Sequence, residues 1–329
     1  MPRGRVLVTG ATGFIGRHVV ETFAEQGVAV RALARRTGGF PSNVDVVVAR
    51  DIDDREAIRE AVAGVTSIVH LAGRAHAKPE GKNDPASECR RVNVDGTALL
   101  LEEAAAAGVG RFILASSVKA VASESSVALT PDTPPQPKDA YGESKLEAER
   151  LVKVGATRAG IHATILRLPV VYGPGMKANM AALFGAVDRG IPLPLASVNN
   201  RRSFAYVGNV VAAIDSLLDA PPGPENVAYV SDEHDLSTPD LIRHIATALG
   251  KPARLISFPA GILRGAGAAG GLLSRIVGLH FSSESVTAVL GSLFVDTSSL
   301  REMTGFNPPF PIGQGMSLTA AGYRPARAR

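Results

Sequence analysis

The stretch Arg5-Val6-Leu7-Val8-Thr9-Gly10-Ala11-Thr12-Gly13-Phe14-Ile15-Gly16 decides the fold. Arg5–Thr9 has the continuous apolar, β-branched character of a buried strand, and an amphipathic helical run follows from about Gly13 to Gln26. Between them, Gly10 and Gly13 allow the backbone to turn tightly, and Gly16 allows the helix to pack close to the strand. A glycine-rich turn that opens a helix offers free N–H groups and the positive end of the helix dipole to an anion. With a strand before it and a helix after it, such a triplet is the signal for binding a dinucleotide pyrophosphate. Thr12, Phe14 and Ile15 belong to the same candidate site.

Outward from this turn the pattern repeats. Strands are expected at Ala29–Ala34, Val44–Ala49, Ser67–Leu71, Arg111–Ser116 and Ala163–Leu168. Helices are expected at Asp54–Ala63, Ala86–Ala107 and Ala140–Val154. Apolar strands alternating with helices give a parallel sheet covered on both faces, hence an α/β, doubly wound Rossmann fold. After Pro174 prolines and glycines crowd in. Val227–Ser231 reads as a late strand, and Thr238–Leu249 as a helix capped by Ser237 with Asp240 three residues on. The expected division is a dinucleotide-binding domain at 1–174, with a returning segment at about 203–233. A smaller substrate-binding lobe is expected from 175–202 and 234–329. The Gly-, Ala- and Leu-rich run Ile262–Leu279 reads as a helix packed on that lobe, with a membrane-surface helix as the other reading.

Composition narrows the function classes. At 329 residues, 45% hydrophobic and 20% charged, the chain is globular rather than disordered. No run of about 18 apolar residues occurs, so no membrane insertion is expected. The start leads straight into the first strand and leaves no room for a signal peptide. A single cysteine, Cys89, excludes a disulfide framework and fits a cytoplasmic location. The pI of about 9.3 invites a nucleic-acid reading. Arg3, Arg5, Arg324, Arg327 and Arg329 contribute +5, however, and taking these from the net +4 leaves −1 for residues 6–323. With no basic stripe or aromatic platform, no nucleic-acid partner is expected. The histidines His70, His76, His162, His234 and His244 lack ligand spacing, so no metal is expected. His70 is expected to pack beside the sheet, while His76 either approaches a ligand or faces solvent.

An acid at the end of the second strand would bind the ribose hydroxyls of NAD. Here that strand ends in Arg35-Arg36. Two guanidiniums suit a 2′-phosphate, so NADP(H) is favoured, with NAD(H) as the alternative if both are solvated loop residues. Asp51 and Ile52, after the third strand, are placed to bound an adenine pocket, the other reading being that the acid caps the next helix. Tyr141-Gly-Glu-Ser-Lys145 puts a phenol and an ammonium on one helix face, where the cation should lower the tyrosine pKa from about 10. Ser116 and Ser117 end the preceding strand at the same edge of the sheet.

With these residues in place, the chain resembles the extended short-chain dehydrogenase/reductases, in particular the nucleotide-sugar epimerases and reductases. The glycine motif, His70-Leu71-Ala72-Gly73, Asn93-Val94-Asp95-Gly96-Thr97, Ser117, Tyr141 and Lys145 all match. Leu166-Arg-Leu-Pro169-Val-Val-Tyr172-Gly-Pro-Gly175 looks like the family's segment beneath the nicotinamide. The resemblance implies cofactor contacts from Leu71, Ala72, Gly73, Asn93, Ser116 and Pro169. It implies substrate contacts from Arg74, Lys119, Asn179 and Arg202, the last two on the diphosphate of a UDP-sugar. It implies hydride transfer at the sugar C4, with Ser117 bonding the C4 oxygen, Tyr141 exchanging its proton and Lys145 holding the nicotinamide ribose. Where the family commonly has an acid, this chain has Gly208-Asn209. A 4,6-dehydratase would need an Asp-Glu pair where Val118-Lys119 stands. The arginine pair tilts the expectation to a 4-keto-sugar reductase, with a UDP-glucose or UDP-GlcNAc 4-epimerase as the alternative. A non-catalytic NADP-binding regulator is more distant, since such proteins lose the Tyr-x₃-Lys pair. The apolar faces of the 86–107 and 140–154 helices could form a homodimeric bundle, or be covered within one chain.

Overall fold

Seven of the apolar runs lie side by side and parallel in the computed structural model, which describes residues 4–75, 84–221, 223, 226–258 and 289–323. The strands are β1 (Val6–Thr9), β2 (Val30–Ala34), β3 (Asp45–Val48), β4 (Ser67–His70), β5 (Arg111–Ser117), β6 (His162–Leu168) and β9 (Asn226–Tyr229). Their order across the sheet is β3-β2-β1-β4-β5-β6-β9. The chain winds one way from β1 to β3 and the other way from β4 onward. The crevice where ligands bind such sheets therefore opens at the carboxyl ends of β1 and β4. The doubly wound fold read from the sequence is the fold observed.

Period-two alternation divides the sheet's side chains between two cores. Val6, Val8, Ala32, Ile113 and Leu166 face α1 (Phe14–Glu25) and α7 (Val207–Asp219). Leu7, Leu33, Ile68, Phe112, Leu114 and Ile165 face α2 (Arg55–Val62), α4 (Gly96–Ala106) and α5 (Ala140–Ala159). Asp54 caps α2 by accepting the Ala57 N–H, and Asp139 caps α5 by accepting the Gly142 N–H at 2.7 Å.

The expected single helix over 86–107 is not continuous. A short α3 (Pro85–Arg90) passes through one π turn, Arg91–Asp95, before α4 begins. There the Gly96 N–H reaches back to Arg91 O, and the Thr97 hydroxyl donates to Asn93 O at 2.7 Å. The extra residue lets the Asn93 amide face the chain after β4, a bond pattern that apolar periodicity does not reveal. The α5 helix also runs past the expected Val154 to Ala159, because Val152 and Ala156 continue its buried stripe until Gly160 adopts φ +66°.

Beyond Pro169, β7 (Val170–Tyr172) and β8 (Phe204–Tyr206) form a separate two-stranded parallel sheet. A third core gathers on it from α6 (Ala178–Asp188), α8 (Thr238–Leu249) and α10 (Ile312–Gly322), while α9 (Ser298–Thr304) returns to the main sheet beside β9. Ser237 caps α8 as expected, accepting the Asp240 N–H. Near Gly208-Asn209, where the resemblance implies an acid, a carboxylate comes from elsewhere in the chain. Asp232, just past β9, accepts from Tyr172 Oη at 2.7 Å, from Tyr206 N and from Asn209 Nδ2. Asn209 is wholly buried and also pairs with the Phe310 backbone.

Among the described residues no helix is long and apolar enough to cross a membrane. His76, the 262–279 run and the three C-terminal arginines lie outside the described residues.

A Cβ on Gly16 would sit 2.2 Å from Gly10 O and 2.8 Å from Gly10 C, both backbone atoms that cannot step aside. Gly16→Ala should cost about 1–3 kcal/mol of stability by forced overpacking. Thermal unfolding checks this, and an unchanged midpoint would show that the turn can open freely.

Candidate active site

At the crevice, Gly10 adopts φ +64°, and a Cβ there would meet Ala72 N and Leu71 C at 2.6 Å. The turn after β1 is thus pressed against the chain after β4, with Gly13 N–H closing it onto Gly10 O at 2.8 Å. The α1 N-terminus has no capping side chain and no acid in its first turn. Its first N–H groups therefore lack a side-chain acceptor, while Thr12 and Gly13 are exposed and Phe14 and Ile15 half-buried beside them. Such a cradle, shaped by absent Cβ atoms at a helix start, fits a dinucleotide's pyrophosphate.

Arg35 and Arg36 follow β2 directly and are both exposed. Asp51 pairs with Arg91 at 2.9 Å. Burial tends to raise its pKa, but the Ile52 N–H and Arg91 outweigh this and hold it below the usual carboxylate range, with Arg35 adding to the effect. Ile52 is buried against Gly96, where any Cβ would come within 2.4 Å of it.

Parallel register sets Thr9 beside His70, and the two side chains meet at 2.6 Å. His70 is fully buried, and its Nε2 lies 2.9 Å from Thr97 Oγ1. The single Thr97 proton goes to Asn93 O, so His70 Nε2–H must donate to Thr97, and Nδ1 accepts from Thr9. Thr9 Oγ1 in turn accepts the Ala72 N–H at 3.3 Å. One neutral imidazole thus links the cradle's far wall to the π turn. Burial, with the Lys145 charge adding to it, holds the His70 pKa down to about 3.

Asn93 extends this framework. Its Oδ1 accepts the Arg74 N–H at 2.8 Å, and its Nδ2 donates to Arg74 O and to Ser144 Oγ. Ser144 then donates to Tyr141 O. The chain after β4, including the exposed Gly73, is therefore tied to the helix that carries the phenol, and the Arg74 guanidinium lies 3.7 Å from Glu88. Sequence reasoning placed Asn93 as a ligand contact, whereas here its side-chain amide is committed to the protein.

Tyr141, on the first turn of α5, lies close enough to Ser117, at the end of β5, for the serine to lower its pKa. Ser117 Oγ also accepts the Lys119 N–H at 3.2 Å. The expectation that Lys145 lowers the tyrosine pKa needs correcting. Burial pushes it up to about 12, opposed by Ser117 and helped by Asp139 and Cys89. Lys145 is 4% exposed and donates no hydrogen bond among the described residues. Burial lowers its pKa to about 8 against the pull of Glu149. A buried ammonium beside the cradle with its donors unspent fits the ribose hydroxyls of a bound dinucleotide.

Lys119 is tied to Asp139 at 2.6 Å, so one carboxylate caps α5 and anchors this lysine. Ser116 points away from Ser117, into the α5 face, and donates to Glu149 at 2.5 Å. Glu149 and Arg167 form a fully buried pair through Nε at 3.1 Å and Nη2 at 2.8 Å, and Arg167 Nη1 donates to Tyr229 Oη. Sequence reasoning missed this pair. Its signal was present in an arginine inside the apolar strand Ile165-Leu166-Arg167-Leu168 and an acid four residues after Lys145.

Pro169 is half-buried between β6 and β7. Arg202 is 6% exposed, with Nη1 donating to Gly291 O at 3.0 Å. Burial brings its pKa down to about 10, opposed by Glu124 from the chain that continues beyond Ser117. Asn179 is exposed in the first turn of α6. Among the described residues no group of three or more His, Cys, Asp or Glu side chains could hold a metal ion.

The model of the NAD dependent epimerase/dehydratase family matches residues 6–230. The chain belongs to this family. It is 33% identical over 338 residues to a UDP-glucose 4-epimerase of Vibrio cholerae, covering 100% of this chain and 98% of the relative. It is 29% identical to an N-acetyl-alpha-D-glucosaminyl-diphospho-ditrans,octacis-undecaprenol 4-epimerase of Escherichia coli O157:H7, covering 95% of this chain and 93% of that one. Among solved structures it is similar to MoeE5 in complex with UDP-glucuronic acid and NAD, with TM-score 0.76 and 25% identity over 97% of this chain and 98% of MoeE5.

The buried His70 gives this family member a measurable pH signature. Its folded pKa lies below the unfolded value, so its contribution to stability is complete above about pH 6.5 and is lost as pH falls toward about 3. Between pH 6.5 and 5 this should remove roughly 2 kcal/mol of unfolding free energy, a loss that His70→Gln should not show. Denaturant unfolding of both proteins across that window checks it, and parallel pH profiles would disprove it.

Proposed function

We propose that the protein is an NAD-dependent 4-epimerase of a sugar carried on a diphosphate, most simply a UDP-hexose. The observation that carries this reading is the Ser117–Tyr141–Lys145 set at the mouth of the glycine cradle, in a chain similar over its whole length to a 4-epimerase. The relatives support the epimerase reading over the 4-keto-sugar reductase that the arginine pair favoured. They support NAD as well, since MoeE5 is in complex with it, and exposed Arg35 and Arg36 are as consistent with solvated loop residues.

The dinucleotide, held along Gly10–Gly16 with Lys145 on its ribose, would supply the reversible hydride acceptor. The chain's own residues supply positioning and the proton. Ser117 orients the C4 oxygen, and Tyr141 takes and returns its proton within hydrogen-bond reach. In the protein alone the phenol is protonated at neutral pH, with its pKa near 12, so removing its proton calls for added positive charge nearby. An epimerase must also present both faces of the sugar to the same groups. Its firmest anchor therefore belongs on the diphosphate, where the buried Arg202 guanidinium is suited to act. Val118 and the tethered Lys119 stand where elimination of water would need acids, which supports epimerisation over dehydration.

Incubation with UDP-glucose, UDP-GlcNAc and a UDP-4-keto-6-deoxy sugar, with and without NADPH, separates the readings by product NMR and nicotinamide absorbance. Isomer formation without net NADPH consumption is expected, whereas stoichiometric NADPH loss would make it a reductase. Tyr141→Phe should retain dinucleotide binding and lose turnover by about 10²–10⁴-fold. Arg202→Met should raise KM for the diphospho-sugar more than it lowers kcat.

A further inference from the structure

Lys145 and Glu149 are one helical turn apart on α5, and both are buried. Residues at this spacing face the same side of a helix. Glu149 is 1% exposed and gives both oxygens to neighbours: Ser116 Oγ and Arg167 Nε on one, Arg167 Nη2 on the other. Register makes this possible, because Ser116 and Arg167 are paired on adjacent strands and point to the same face. A carboxylate this deep needs paired, directed bonds to stay ionised and fixed. We propose that Glu149 is a positioning residue: clamped by Arg167 and Ser116, it supplies the negative charge that keeps the buried Lys145 ammonium protonated. The inference rests on the catalytic reading of Lys145 given above.

The charged and titratable groups around Lys145 support the assignment. From β4 comes His70, held neutral, and from its own helix come Tyr141, whose phenol stays protonated, and Glu149. From β6 comes Arg167, behind Glu149 and engaged with it. Glu149 is the only anion in this set, and no hydrogen bond from Lys145 competes with it. Burial works against the Arg167 charge, but its bonds to Glu149 outweigh this and raise its pKa. Arg167 thus stays ionised behind Glu149, and of the two it is the Glu149 carboxylate whose charge acts on Lys145.

The test reads Lys145 directly, by NMR titration of ¹³Cε-lysine-labelled protein with neither sugar nor dinucleotide, the resonance being assigned by its loss in Lys145→Arg. Failure of the substrate assignment would leave this result untouched. In the wild type the midpoint should lie near 8. Glu149→Gln should bring it below about 7, because removing the neighbouring anion favours the neutral amine. That variant leaves Arg167 buried without its anion and can cost the fold, so Glu149→Gln/Arg167→Met removes both charges together and should show a fall in the same direction, smaller than in the single variant. A midpoint that stays near 8 in a folded variant overturns the proposal. Failure of the double variant to fold does so too, since Glu149 would then be serving packing. In turnover, the alkaline limb of kcat/KM should move to lower pH with its low-pH plateau kept. A uniform loss at every pH would mark a merely structural role and likewise overturn it.

Discussion

The architecture depends on one close approach, that of the backbone after β1 to the backbone after β4. At Gly10 and Gly16 there is no volume for even a methyl group, because the neighbouring atoms are carbonyls and amides of the frame. That contact brings the start of α1 to the crevice at the switch point of the sheet, where the α1 dipole and free N–H groups can act on an anion. The other site elements are placed relative to it. The Thr9–His70–Thr97 bonds fix α4 to the same edge, and Asn93 and Ser144 carry the connection across to Tyr141.

Buried polarity in this framework is of two kinds. His70 and Asn93 are neutral groups with their bonding capacity spent inside the protein, which makes them rigid struts. Lys145 and Arg202 are cations with capacity left over, and burial drives both pKa values down to about 8 and about 10. A protein tolerates such groups when a ligand completes them. On the proposed function, the contrast separates residues that build the site from residues that act in it, a distinction that residue type alone does not provide.

The doubly wound parallel sheet and the glycine turn were legible in the sequence because both rest on local signals: apolar strands alternating with helices, and glycines at set intervals. What was not legible depends on tertiary partners. The π turn exists because Asn93 and Thr97 find acceptors and donors on other elements. The role of Asp232 could not be read from Gly208-Asn209, since the acid lies 23 residues further along the chain from Asn209. The phenol's raised pKa likewise reflects the desolvation of Tyr141 by the elements around it, where spacing to Lys145 alone pointed the other way.

The π turn at Arg91–Asp95 also sets the rotational phase of everything that follows it in α4. Each residue advances an α-helix by about 100°, so a register one residue shorter would swing the next turns by roughly that angle. Leu100, Leu101 and Ala104, now seated on the sheet, would leave it, and Thr97 would turn away from His70. Strut and core are therefore indexed by the same five residues. A single-residue deletion in that turn would misalign both, although none of Leu100, Leu101, Ala104, Thr97 and His70 had been touched.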